Sequence, residues 1–182
     1  MTSNKVLILL DADVTIHLFK ADKTSLLNIL FPGRVRMLDI VLGELLKNQT
    51  MRKDIENLFI FKQIEEIKFP TTSNPQLFKE YISLKKSING DGERASLLYC
   101  KYNQHIIASS NTKDIKPFCE EYSIAYITTL DLFEIAIYRG LLTNQEANAC
   151  IKMITFNDLS FLCCSTIEEH ETRHFDRSKL LY

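Results

Sequence analysis

The sequence predicts a three-layer α/β/α sandwich around a mostly parallel central sheet of four to five strands. Three observations predict it. Short apolar runs of strand length alternate with segments of helical periodicity along most of the chain. The first run, residues 5–10 (KVLILL), is apolar on both faces, as a strand covered by helices on both sides requires. The 182 residues are enough for one full core and short for two.

The elements follow in order. Past Asp11, Val14, Leu18 and Phe19 fall at helical spacing, so a helix starts near Ala12. Residues 25–30 form a second short helix, stopped by Pro32-Gly33. Residues 35–46 (VRMLDIVLGELL) begin as a strand and become a helix around Val41, and residues 52–61 are helical. Residues 66–69 read as a short strand before Pro70, and 71–75 (TTSNP) as a loop that opens a helix over 76–88. Gly92 opens the next helix, with Ala95, Leu98, Tyr99 and Tyr102 on one side. A strand at 105–108 (HIIA), a helix at 112–122 and a strand at 124–128 (IAYIT) follow. A helix over 130–139 ends at Gly140, a residue suited to a left-handed stop. Thr143 caps a last helix to about Met153, with Glu146 at the capping-box position. The domain therefore spans residues 1–154. Residues 155–182 form an extension, expected to be helical and to pack on the domain or on a partner.

Composition excludes several classes. Hydrophobic residues make up 46% and charged residues 25%, with little glycine or proline, so long disorder is not expected. The apolar run at 6–10 is too short for a signal-peptide core or a membrane span, so a cytoplasmic protein with no membrane partner is expected. Five cysteines without regular spacing are not a disulfide framework. Net charge is −1, but it is unevenly distributed: residues 1–116 hold 17 Lys and Arg against 13 acids, residues 117–182 hold 5 against 10. The clusters Lys20/Lys23/Arg34/Arg36, Lys47/Arg52/Lys53 and Lys79/Lys85/Lys86 can track a phosphate backbone, although each by itself also reads as a solvated face.

In a parallel α/β sheet, ligands bind at the carboxyl ends of the strands. Asp11 ends the first strand, Ser109, Ser110 and Asn111 end the 105–108 strand, and Thr128, Thr129 and Asp131 end the next. Glu44 and Glu93 stand on helices nearby in this reading. Glu44 lies within an apolar helical face, where an acid needs a metal or a basic partner. Hard cations take oxygen ligands, and several carboxylates brought together from distant segments suit a Mg²⁺ or Mn²⁺ site that activates water.

The segments LLDADVTIHL, RMLDIVLGELL, GDGERASLLYCKY and IIASSNTKDI resemble, in order and spacing, the four acidic motifs of PIN-domain nucleases, over roughly residues 5–150. The resemblance implies a VapC-like, Mg²⁺- or Mn²⁺-dependent ribonuclease. It places Asp11, Glu44 and Glu93 as catalytic metal ligands, with Asp91 the competitor to Glu93. The fourth motif departs from the family pattern. SSNTKD stands where an acidic run is usual, so the fourth ligand role passes to Asp114, and Asn111 becomes a neutral ligand or substrate contact. Ser110, Asp13 and Arg94 are further expected substrate contacts, Arg94 by orienting a phosphate. RNA is the expected partner. If the chain is the toxin of a toxin–antitoxin pair, a cognate antitoxin and a homodimer are expected as well.

Two other readings compete. Asp11-Ala12-Asp13-Val14-Thr15 also fits the DxDxT motif of HAD-type phosphatases, with Asp11 as nucleophile and Asp13 as acid/base. Against it, GDGE precedes SSN, follows a helical stretch, and no lysine is suitably placed. A catalytically degenerate PIN fold that binds RNA or protein without cutting is the second. Cys163-Cys164 with His170 and His174 offers soft ligands, but the spacing fits no standard zinc finger, so partly buried thiols in an added helix are expected. His17 is expected to be a surface or core histidine.

Overall fold

The structure is a computed structural model that describes residues 5–156 and 162–170. Five strands, β1 (Ile8–Leu10), β2 (Val35–Leu38), β3 (Glu65–Ile67), β4 (Ile106–Ala108) and β5 (Tyr126–Ile127), form one sheet in the order β3-β2-β1-β4-β5. Every pairing is parallel. The central strands β1 and β4 are buried throughout, which is why they read as unbroken apolar runs. β3 carries Glu65 and Glu66 in the exposed part of an edge strand, where charge discourages pairing with another chain.

The crossovers supply the outer layers. Between β1 and β2 run α1 (Ala12–Lys20) and α2 (Ser25–Leu30); between β2 and β3 run α3 (Asp39–Leu45) and α4 (Arg52–Ile60). Between β3 and β4 come α5 (Pro75–Ser83), a short 3-10 turn (Leu84–Lys86) and α6 (Asp91–Asn103). α7 (Thr112–Tyr122) joins β4 to β5, and α8 (Thr129–Tyr138) and α9 (Asn144–Thr155) follow. α6 lies against β1, β2 and β4 with α3, α5 and α7 beside it, while α1, α8 and α9 pack together.

The architecture is the α/β sandwich that the alternation predicts, and the departures from the expected boundaries are local. The helix after β2 begins at Asp39, ahead of the predicted Val41, because the Asp39 carboxylate accepts the Ile40 N–H at 3.0 Å and starts the turn. The same carboxylate accepts the Phe69 N–H at 3.0 Å and ends β3 early. The helix predicted over 76–88 stops at Ser83 and tightens into the 3-10 turn. α8 starts at Thr129, capped by Thr128 with Asp131 in a capping box, and α9 carries the expected Thr143–Glu146 box. Gly140, at φ +68°, makes the predicted left-handed stop.

The extension departs more. α9 runs on to Thr155, and residues 162–170 form bends and turns rather than the expected helix. They dock on the domain through buried Leu162, Ile167 and His170, through Ile167 N–H to Asn148 Oδ1 at 2.7 Å, and through Glu168 to the Asn144 and Asn148 amides. His174 lies outside the described residues. Among the described residues no helix is long and apolar enough to cross a membrane.

Candidate active site

Strand order reverses between β1 and β4, so the carboxyl ends of these neighbours form the crevice where open α/β sheets bind ligands. Asp11 follows β1 directly, its N–H donating to Ala108 O of β4 at 2.9 Å. It is the N-cap of α1: one carboxylate oxygen accepts the Ala12 N–H at 2.9 Å. Asp13, two residues on, fastens the two strand ends together. It accepts the Ser110 N–H at 2.7 Å and, more loosely, the Ser109 hydroxyl at 3.4 Å, while its other oxygen accepts the Val14 N–H at 2.6 Å.

The remaining acids arrive on helices. Glu44, on α3, accepts the Gly92 N–H at the start of α6 at 3.0 Å. Glu93 follows on α6, almost fully buried. Asn111 occupies the N-cap position of α7, and its amide nitrogen donates to Glu93 Oε1 at 3.0 Å and to Asp114 Oδ2 at 2.9 Å. Asp114 and Asn111 are exposed, and Asp11 and Glu93 lie deeper.

Electrostatics ties these groups into one cluster. Burial, and then repulsion from Asp13, pushes Asp11 from an ordinary 3.8 up to about 7, with a smaller contribution from Glu44. Burial, followed by repulsion from Asp11, Asp114 and Asp13, pushes Glu93 from 4.5 up to about 8. Burial also raises Asp13, against the opposing hydrogen bonds from the backbone of Ser110, Val14 and Asn111. The charged groups acting most strongly on Asp11 and Glu93 are all acids. Such a cluster holds protons near neutrality unless a cation replaces them.

The donor set fits Mg²⁺ or Mn²⁺, being all hard oxygen. It is not closed into a tight cage. No three of these acids bring one oxygen each within 4.8 Å of one another; the two such groups among the described residues lie elsewhere, at Cys163, Cys164 and His170 and at Asp131, Glu134 and His170. An open ring remains compatible with Mg²⁺, which usually keeps several waters and takes one or two carboxylates directly.

No family model, curated protein or solved structure matches this chain.

Of the expected site residues, Asp11, Asp13, Glu44, Glu93, Asn111 and Asp114 are brought together. Asp91 is not one of them: its carboxylate pairs with Arg94 and is more than half exposed. Arg94 is a correction. It is 2% exposed, its guanidinium donates to Ile88 O, Asn89 O and Asp91, and it stacks over the Tyr81 ring at 4.9 Å. It braces the loop before α6 and is not presented to a phosphate. Ser110 reaches the acids through its backbone N–H, and its hydroxyl turns away to Thr129 Oγ1 at 2.9 Å and Thr129 N–H at 3.0 Å. Thr129 also bonds His17 Nδ1 at 2.9 Å. His17 is therefore a core histidine; burial, then Lys20, lowers it to about 4.

One expected basic cluster also dissolves. Arg34 is buried with Nε donating to Val6 O at 2.8 Å, and Arg36 pairs with Glu65 at 2.8 Å. Arg34 ties the start of β2 to the segment before β1, and Arg36 ties β2 to the edge strand β3. Two features escaped the sequence reading: the T-x-x-D box of Thr128 and Asp131, legible as a capping signature, and the contact of Asp131 with His170, which no local signal announces.

Proposed function

We propose that this chain is a metal-dependent endoribonuclease of the PIN type. The observation that carries the reading is the convergence, at the sheet's switch point, of acids from four separate segments, with Asp11 and Glu93 raised to about 7 and about 8 by burial and by neighbouring acids. A stable fold does not need buried, mutually repelling carboxylates. A site for a divalent cation does.

Asp11, Glu44, Glu93 and Asp114 would hold Mg²⁺ or Mn²⁺. The bound ion would lower the pKa of its water and polarise a phosphodiester. The protein supplies the rest. Asp13 locks the ends of β1 and β4 in register, so Asp11 has a fixed place. Asn111 holds Glu93 and Asp114 with one amide and opens no further charge to the site. The exposed Asn111 and Asp114 form the lip along which RNA passes, with Glu93 and Asp11 at the floor. Exposed Lys47, three residues past Glu44, and Lys113, beside Asp114, offer the neighbouring positive charge for its phosphates.

A second reading has specific support. The acids are not within 4.8 Å in any group of three, and the fourth motif carries Asn111, as in a module that binds RNA without cutting it. One experiment separates the two. Purified protein is incubated with single-stranded and structured RNA in Mn²⁺, in EDTA, and as Asp11→Asn and Glu93→Gln. Cleavage that needs Mn²⁺ and both acids is the expected result. Cleavage that survives EDTA and both substitutions refutes the mechanism. Retention of RNA without cleavage supports the binding module, and turnover of a phosphomonoester supports the phosphatase.

A further inference from the structure

The segment 162–170 folds back onto α8 and α9 and places two sulfurs and an imidazole together. Adjacent side chains usually diverge, but the bends here bring Cys163 Sγ and Cys164 Sγ to 3.5 Å. Two thiolates sharing one tetrahedral zinc at bonds of about 2.3 Å sit roughly 3.8 Å apart. The two sulfurs and a ring nitrogen of His170 all lie within 4.8 Å of one another. All three residues line the same open pocket, of about 460 Å³, beside α7 and Tyr126.

His170 supplies an independent indication. Its side chain is 3% exposed, and Nδ1 is buried without a hydrogen-bond partner. A buried ring nitrogen left unsatisfied is costly. The other nitrogen, Nε2, lies 3.0 Å from Asp131 Oδ1. Asp131 is itself fixed, its second oxygen accepting from Thr128 N–H and Oγ1 in the capping box of α8. A metal-bound histidine characteristically donates its far N–H to a carboxylate, which sets the tautomer and the ring orientation. Here that arrangement leaves Nδ1 as the free lone pair.

The loop is also preorganised. Ser165 binds the Glu169 carboxylate through its N–H at 3.1 Å and its hydroxyl at 2.8 Å, closing residues 165–169 into a ring, and Ile167 is anchored on Asn148. The alternative group of Asp131, Glu134 and His170 would have to break the capping box or the Asp131–His170 contact to free its oxygens.

We infer that Cys163, Cys164 and His170 Nδ1 form a second metal site, specific for Zn²⁺ and separate from the oxygen-lined acidic cluster. Two thiolates balance the charge of the ion, and their protons leave as it binds. Three protein ligands leave the fourth position to water or to a group entering the pocket.

The test uses the full chain under a non-chelating reductant, with Zn²⁺ alone as the probe. Competition with a chromophoric chelator measures affinity, and Co²⁺ substitution reports thiolate ligation by its sulfur-to-metal charge-transfer absorption. One tight equivalent of Zn²⁺ and a sulfur-to-cobalt band are expected. Both should be lost in the Cys163→Ser, Cys164→Ser double variant, which alters one exposed and one partly buried side chain, neither of them fully buried in the core. Asp131→Asn should weaken binding roughly 10- to 100-fold. His170→Ala should abolish it, and if that variant fails to fold, the cysteine variant still decides. Tight zinc that persists in the double cysteine variant, or a cobalt complex without the sulfur band, overturns the site.

Discussion

Glu44 on α3 accepts the N–H of Gly92 on α6 at 3.0 Å, and that single bond places both helical acids of the site. Glu93 is the next residue, so the orientation of one carboxylate sets the entry of the other. The contact also explains the glycine. A Cβ at position 92 would meet Glu44 Oε2 at 2.8 Å and Val41 Cγ2 at 2.9 Å. Gly92→Ala should therefore push α3 and α6 apart. It should cost about 1–3 kcal/mol in stability, as overpacking does, and lower cleavage by more than that loss explains. Denaturant unfolding beside a cleavage assay on the folded fraction checks this.

The raised acids make stability fall with pH. A carboxyl whose folded value exceeds its unfolded one keeps its proton in the folded state after the unfolded state has lost it. Stability contributed by the protonated Asp11 and Glu93 is thus present below about 4 and lost progressively towards about 7 and 8. In EDTA, Asp11→Asn and Glu93→Gln should each raise the melting temperature at pH 8 by several degrees and have little effect at pH 4. Mg²⁺ or Mn²⁺ should raise that of the native chain at pH 8 and do less for either variant. Unchanged melting of both variants at pH 8 would contradict the electrostatic picture.

Asn111 donates to Glu93 and to Asp114 at once. Asn111→Ala removes a donor that favours the ionised Glu93, so Glu93 should titrate higher and the pH profile of cleavage should move up. Asn111→Asp adds a carboxylate to the lip. It should tighten Mn²⁺ binding, measured by calorimetry, and lower the stability of the chain in EDTA. Weaker Mn²⁺ binding in Asn111→Asp would exclude position 111 from the metal site.

Arg94 holds the loop before α6 and touches no substrate in the proposed mechanism. Arg94→Ala should destabilise by on the order of 3 kcal/mol, because it leaves the Ile88 and Asn89 carbonyls without their donor and opens a cavity against Tyr81. Arg94→Lys should recover part of that loss. Near-native stability in Arg94→Ala with lost RNA binding would restore the phosphate-orienting role.

Much of the site was legible because its residues lie where short motifs end elements. Asp11 closes an apolar strand, Asn111 opens a helix, and Glu93 follows a glycine at a helix start. Glu44 stood out as an acid in an apolar helical face. Arg94 misled because a charged residue beside a site acid reads the same whether it points outwards or folds back on its own loop. Only the helix phase and the position of Tyr81 decide that.

The sequence by itself determined the alternation of strand and helix, and hence a parallel sheet whose acids gather at one edge. That information is local: apolar periodicity, caps and turn residues act over a few neighbours. The tertiary structure alone decided which groups share a field. It put β1 beside β4, raised Asp11 and Glu93 through burial and repulsion from neighbouring acids, and buried Arg34 and Arg94. It also carried His170 back onto Asp131, 39 residues earlier, beside two neighbouring cysteines. Charge interactions and ligand sets depend on distances through space, and chain spacing does not encode those until the sheet has assembled.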